Sequence, residues 1–133
     1  PTVREAIRQD LGSFAERGQV FFTEPLDYPD FVSAMDRSCF ILSDSGGIQE
    51  EASELKKPVL ILRTLSERPE AITKGTGGLV GTDPEKILSE ARRLLDDAAY
   101  RKSFEDRGGS PFGDGTASLK IREILARFLE GKA

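Results

Sequence analysis

The chain has 133 residues, 38% of them apolar, which suits one domain burying roughly two thirds of its unfolded surface and leaves no room for a second full domain. Lys and Arg total 19 against 23 Asp and Glu, a net charge of -4 without long like-charge blocks, so the basic footprint of a nucleic-acid binder is missing. One cysteine excludes an internal disulfide framework, the lack of histidine removes the commonest general base and transition-metal ligand, and no run approaches the ~18 apolar residues that span a bilayer.

In chain order, Thr2 caps a first helix carrying Val3, Ile7 and Leu11 on one face. A helix this close to Pro1, with no initiating Met and no signal-like core, reads as a fragment whose preceding strands lie upstream. Gly12 and Gly18 bracket a break, and Gln19-Val20-Phe21-Phe22-Thr23 has the composition of a short buried strand. After the loop Glu24-Pro25-Leu26-Asp27, Asp27 caps a second helix with Tyr28, Phe31, Val32 and Met35 at helical spacing and Pro29 tolerated in its first turn.

Residues 39–43 form an apolar strand in which Cys39 packs as a small hydrophobe, in keeping with a reducing, cytoplasmic setting. The run Asp44-Ser45-Gly46-Gly47 then opens a third helix with Ile48, Ala52 and Leu55 on its apolar face, ending near Lys56-Lys57. Strand 58–62, a short helix over 67–73 and a short strand over 78–81 follow. Asp83-Pro84 is an N-cap and first-turn pair for a helix burying Ile87, Ala91, Leu94 and Leu95. A polar helical turn spans Tyr100 to Phe104, and the loop 108–115 precedes Thr116, which caps a terminal amphipathic helix over 116–130. Its stripe is Ile121, Ile124, Leu125, Phe128 and Leu129. Continuous apolar strands separated by helices of about three turns indicate an α/β fold, a Rossmann-like parallel sheet flanked by helices.

The chemistry concentrates at the glycine turn. A ligand in an open α/β sheet sits at the carboxyl ends of the strands, and a helix N-terminus presents N–H groups without intrahelical partners. Ser45 caps the helix with its hydroxyl, while Gly46 and Gly47, without Cβ atoms, admit the oxygens of a phosphorylated ligand. Glu51 stacks one turn after Gly47, where a carboxylate repels phosphate and instead accepts paired hydrogen bonds from a sugar diol further along the ligand; Glu50 and Glu54 lie further toward solvent. Together these describe a nucleotide, with phosphate on the amides and ribose on Glu51. Arg68, just past the strand 58–62, is the next candidate for the anion; its alternative is a surface pair with Glu67 or Glu70. Tyr28 and Phe31 follow the first strand on the same sheet edge, where a ring can wall a base or pack in the core.

The blocks Ile41-Leu42-Ser43-Asp44-Ser45-Gly46-Gly47-Ile48-Gln49-Glu50-Glu51-Ala52, Lys57-Pro58-Val59-Leu60 and Glu67-Arg68-Pro69-Glu70-Ala71 closely resemble the non-hydrolysing UDP-N-acetylglucosamine 2-epimerases. Leu79-Val80-Gly81-Thr82 and Pro111-Phe112-Gly113-Asp114-Gly115 extend the likeness over nearly the whole chain. The resemblance implies most of the C-terminal half of a glycosyltransferase B-type enzyme. The whole chain is then a single UDP-binding domain, and the full-length protein a cytoplasmic homodimer of cell-envelope polysaccharide synthesis. It implies that Ser45, Gly46 and Gly47 hold the diphosphate, that Glu51 holds the ribose, and that Phe31 and Arg68 also contact the UDP-sugar. It implies no cofactor, no metal and no catalytic residue within these residues, the proton-transfer groups and a substrate-contacting histidine belonging upstream. Leu26 departs from the pattern, because some members carry a ligand-contacting glutamine there.

Three other functions compete. A glycosyltransferase of the same architecture shares the glycine turn and glutamate, but the block 67–71 favours the epimerase. A phosphoaccepting receiver domain built on Asp44 lacks the acidic cluster and lysine it needs, since the strand ends offer Thr23-Glu24 and Leu62-Arg63. A noncatalytic nucleotide-binding module is compatible with the absence of acid–base residues.

Overall fold

The structure, a computed structural model, describes residues 3–107 and 111–131, so the expected cap Thr2 and the loop residues Gly108, Gly109 and Ser110 lie outside it. The chain divides into two compact units, Pro1–Val32 and Ser33–Ala133.

In the first unit, helix α1 spans Val3–Glu16 and runs through Gly12 without a break. It stops at Gly18, whose φ of 69° is left-handed, with Gly18 N–H bonded to the Ala15 carbonyl at 2.9 Å and Gln19 N–H to the Phe14 carbonyl at 2.9 Å. That is the paired carbonyl closure a C-terminal glycine permits. The strand expected over 19–23 does not form, and Phe21 is 82% exposed. An apolar composition permits a strand without making one, and among the described residues the sheet is formed by other segments. Helix α2, Tyr28–Arg37, starts as anticipated, with Asp27 Oδ1 accepting the Asp30 N–H at 3.1 Å and Pro29 in its first turn.

The second unit holds a parallel sheet of β1 (Ile41–Ser43), β2 (Val59–Ile61) and β3 (Gly77–Leu79) in that order. Ile41 lies opposite Val59, and Val59 opposite Gly77. Helix α3 (Gly46–Glu54) joins β1 to β2, and α4 (Pro69–Thr73) joins β2 to β3. After β3 come α5 (Pro84–Asp96), α6 (Ala98–Glu105) and α7 (Ala117–Leu129). The central strand explains its own composition. Val59 and Ile61 cluster with Ala52 of α3, whereas Leu60 clusters with Val80, Leu94 and Phe104, so successive residues enter opposite apolar layers.

Edge position explains what the composition concealed. β1 begins only at Ile41, its Leu42 is 47% exposed, and Cys39 precedes it at the surface rather than in the core. The cap of α5 forms as expected, Asp83 Oδ1 accepting the Glu85 N–H at 3.0 Å ahead of Pro84. Leu94 is buried and Ile87 and Ala91 are half-buried, but Leu95, one residue past the stripe, is 56% exposed. Helix α6 is longer than the expected turn and buries Phe104 against the edge of Tyr100, ring centroids 5.2 Å apart, while the Tyr100 hydroxyl donates to Glu90 at 2.7 Å. The stripe of α7 is helical and wholly exposed, and Thr116 makes no cap bond; its hydroxyl donates to Asp114 instead. Among the described residues no helix is long and apolar enough to cross a membrane.

One buried group is left over. Thr76, fully buried just before β3, has a hydroxyl with no hydrogen-bond partner among the described residues. Desolvating a hydroxyl without a partner is unfavourable, so Thr76→Val, nearly isosteric, is expected to raise stability by about 1 kcal/mol. A higher urea midpoint at unchanged slope would show it; a lower midpoint would mean that the hydroxyl is satisfied.

Candidate functional site

Ser43, the last residue of β1, is buried and organises the turn that follows. Its carbonyl accepts the Leu62 N–H at 3.0 Å, and its Oγ accepts the Ser45 N–H at 3.1 Å. The Ser45 amide is therefore taken, and Ser45, although at the N-cap position, makes no side-chain cap bond. The capping hydroxyl expected from Ser45 is not supplied: Ser43 Oγ holds the Ser45 amide ahead of the helix, and the Ser45 hydroxyl stays uncommitted to the helix. Gln49 N–H is the first amide to bond back into the turn, reaching the Ser45 carbonyl at 3.3 Å. The free donors are accordingly those of Gly46, Gly47 and Ile48, which find no partner among the described residues.

The two glycines of this turn are not demanded by the fold. Neither has a positive φ. A Cβ added at Gly46 would meet nothing within 4 Å, and one at Gly47 only Ser45 Oγ at 4.0 Å. Glycine is nonetheless unfavourable in a helix by about 1 kcal/mol relative to alanine. Gly75 shows the contrasting case, because its Cβ would lie 2.5 Å from Ser53 Oγ and 2.8 Å from the Ala71 carbonyl oxygen. Open space above unpaired amides is what the approach of an external anion requires.

Glu51 is half-buried in the second turn of α3, one turn beyond Gly47. Glu50 does not simply face solvent. Its Oε1 accepts from Arg68 Nε, the two side chains being 39% and 41% exposed. Arg68 thus pairs with α3 rather than with the Glu67 or Glu70 carboxylates; it takes the Glu67 carbonyl through Nη1 at 3.2 Å, while the Glu67 carboxylate meets Arg63 at 3.4 Å. The hydrogen bond that Arg68 donates to Glu50, and then the charge of Glu50, raise the Arg68 pKa further above its already high value, so the guanidinium is a permanent cation.

Gln49 was not legible as part of this site. It is 1% exposed, and its Oε1 accepts from Ser66 Oγ at 2.6 Å, while Ser66 Oγ accepts the Arg68 N–H at 2.9 Å. The available signal was its neighbours at i+3 and i+4, Ala52 and Ser53, both fully buried and small enough to place the amide on the inward face. Phe31 belongs to the first unit, half-buried in the first turn of α2. Without a strand over 19–23, the strand-end placement of Tyr28 and Phe31 has no structural basis.

Two other features complete the second unit. Phe112, Gly113, Asp114 and Gly115 border a cleft of about 530 Å³ beside Glu54. Asp114 itself is committed to the turn, accepting from the Thr116 hydroxyl and N–H and from Lys120, and the Thr116 hydrogen bonds hold its pKa below the usual carboxylate range. Among the described residues no three His, Cys, Asp or Glu side chains converge on a metal position.

Comparison with known proteins bears on this geometry. The family profile described as UDP-N-acetylglucosamine 2-epimerase matches residues 1–126. The UDP-N-acetylglucosamine 2-epimerase of Escherichia coli K12 is 46% identical over 125 residues, covering 94% of this chain and 32% of that protein. Among solved structures, a Staphylococcus aureus protein in a co-structure with UDP superposes with a TM-score of 0.87 at 40% identity, covering 98% of this chain and 34% of that one. The UDP-GlcNAc 2-epimerase of Neisseria meningitidis bound to UDP-GlcNAc gives a TM-score of 0.76 at 41% identity, over 94% of this chain and 33% of that one. The chain spans about a third of the length of these relatives. It shares the α/β, Rossmann-like fold of the matching third of these glycosyltransferase B-like proteins, and it belongs to the UDP-N-acetylglucosamine 2-epimerase family.

Proposed function

We propose that these residues form the UDP-holding part of an enzyme that interconverts UDP-N-acetylglucosamine and its 2-epimer, UDP-N-acetylmannosamine. The observation that carries the proposal is the pair Gly46 and Gly47: glycine where neither backbone conformation nor packing calls for it, over N–H donors that are free. In this assignment Gly46, Gly47 and the Ser45 hydroxyl hold the diphosphate, Arg68 adds a cation, Glu51 accepts from the ribose hydroxyls and Phe31 contacts the substrate. The family's cytoplasmic setting, role in polysaccharide synthesis and homodimeric state come with the same proposal.

The reaction breaks the C1–O bond to UDP and removes the C2 proton, giving a 2-acetamidoglucal, and then adds UDP back with a proton delivered to the opposite face. Negative charge develops on the departing diphosphate. Oriented N–H donors and a fixed guanidinium stabilise that charge without reorganising, and they keep UDP beside the intermediate for its return. Proton transfer falls to the two thirds of the family's length that this chain does not span, so the 133 residues alone are expected to bind UDP weakly and not to epimerise. An NMR titration with UDP tests the binding. Shifts centred on residues 45–51, weakened about tenfold in Ser45→Ala, are expected, a loss of the size produced by removing a charge-assisted hydrogen bond; spectra unchanged by UDP would end the proposal.

A further inference from the structure

We propose that Gln49 and Ser66 are positioning residues for Arg68, holding its backbone and, with Glu50, its guanidinium against the first turns of α3. This rests on the assignment of Arg68 to the diphosphate and explains how a residue outside any long element could serve there. Arg68 precedes a helix of only five residues, with a φ of -125° and ψ of 71° that belong to neither helix nor strand. An arginine on such a segment has many rotamers and a mobile backbone, and ordering it at the moment of binding would weaken affinity.

The structure supplies the order in advance. The Ser66 hydroxyl donates its one proton to Gln49 Oε1 at 2.6 Å and turns a lone pair to the Arg68 N–H at 2.9 Å. Gln49 is an acceptor that cannot drift, because it is 1% exposed and sits on the inward face of α3 with the fully buried Ala52 and Ser53. At the other end of Arg68, Glu50 takes the Nε proton and the Glu67 carbonyl takes one Nη1 proton, so the second Nη1 proton and both Nη2 protons are the guanidinium donors without a partner among the described residues. All the anchors but Glu67 and Ser66 sit on the same short helix that carries the free amides. Amides and cation are therefore fixed to one element, the relay Gln49–Ser66 joining the Arg68 backbone to it and Glu50 the guanidinium.

A double-mutant cycle on UDP affinity tests this, with Arg68→Ala, Gln49→Met and the pair compared by NMR titration, and folding stability measured on each. Arg68→Ala is expected to weaken UDP binding about tenfold and Gln49→Met about fivefold, with the Gln49→Met effect vanishing when Arg68 is already alanine. Ser66→Ala, which breaks the relay from its other end, is expected to give the same loss as Gln49→Met, with no further loss when the two are combined. If Gln49→Met weakens binding equally in both backgrounds, Gln49 acts through general stability and the inference is wrong. If Arg68→Ala binds UDP as tightly as the parent, the assignment of Arg68 to the diphosphate is itself wrong, and the inference falls with it; an effect of Arg68→Ala with none from Gln49→Met sinks the inference alone.

Discussion

Exchanging Gly47 for alanine is expected to make the protein more stable and a poorer binder of UDP. The two changes have opposite signs because the fold and the ligand make opposite demands on that position. For the fold, Gly47 is an ordinary residue of the first helical turn, without a positive φ and with Ser45 Oγ, 4.0 Å from its missing Cβ, as the one neighbour in reach. Alanine there costs nothing in packing and reduces the freedom of the unfolded chain, a gain of about 0.5 kcal/mol. For the ligand, a methyl group stands in front of N–H donors that a diphosphate must approach to hydrogen-bond distance, and a loss of one charge-assisted contact lowers affinity about tenfold. Urea denaturation and a UDP titration on the same sample measure both. Unchanged affinity in Gly47→Ala and in the bulkier Gly47→Val would remove these amides from the binding site.

The same substitution at Gly75 is expected to do the reverse and cost about 2 to 3 kcal/mol of stability. Here a Cβ would lie 2.5 Å from Ser53 Oγ, 2.8 Å from the Ala71 carbonyl oxygen and 3.0 Å from Ala71 Cα. Two of those atoms are backbone and cannot swing aside, so α4 must move away from β3 or the start of β3 must bend, which is the overpacking penalty of a dense interior. The serine cannot give way freely either, because its hydroxyl is bonded to the Gln49 carbonyl at 2.8 Å. In a domain whose whole stability is of the order of 5 to 15 kcal/mol, a loss of this size shifts the urea midpoint plainly. A midpoint equal to that of the parent would show that the α4 and β3 packing is looser than the distances imply.

The elements that could be read along the chain are those whose signal is local. The second helix starts at an Asp27 cap, α5 starts at Asp83-Pro84, and the three blocks around β1, β2 and α4 lie where periodicity and punctuation put them. The failures have a common physical origin. Residues 19–23 have strand composition but form no strand, Cys39 lies at the surface instead of entering a core, and Leu95 falls one residue past the buried stripe of its helix. Each depends on what lies opposite in space, and apolar character reports a need for burial without saying where it is met.

From its sequence alone this protein declared an α/β architecture, a glycine turn at a strand's carboxyl end, a downstream glutamate one helical turn away and membership of an epimerase family. The first three are properties of spacing and the last a resemblance carried by residue identities in three blocks, and both are written in the order of residues. Only the tertiary structure decided that Ser43 rather than Ser45 satisfies the turn, that the free donors are the amides of residues 46–48, and that Gly46 and Gly47 are dispensable to packing where Gly75 is not. It alone joined Arg68 to Glu50, 18 residues away, through one short helix and one loop. Hydrogen bonds and steric clearance are settled between atoms that the chain brings together only by folding, so no pattern along the chain could have stated them.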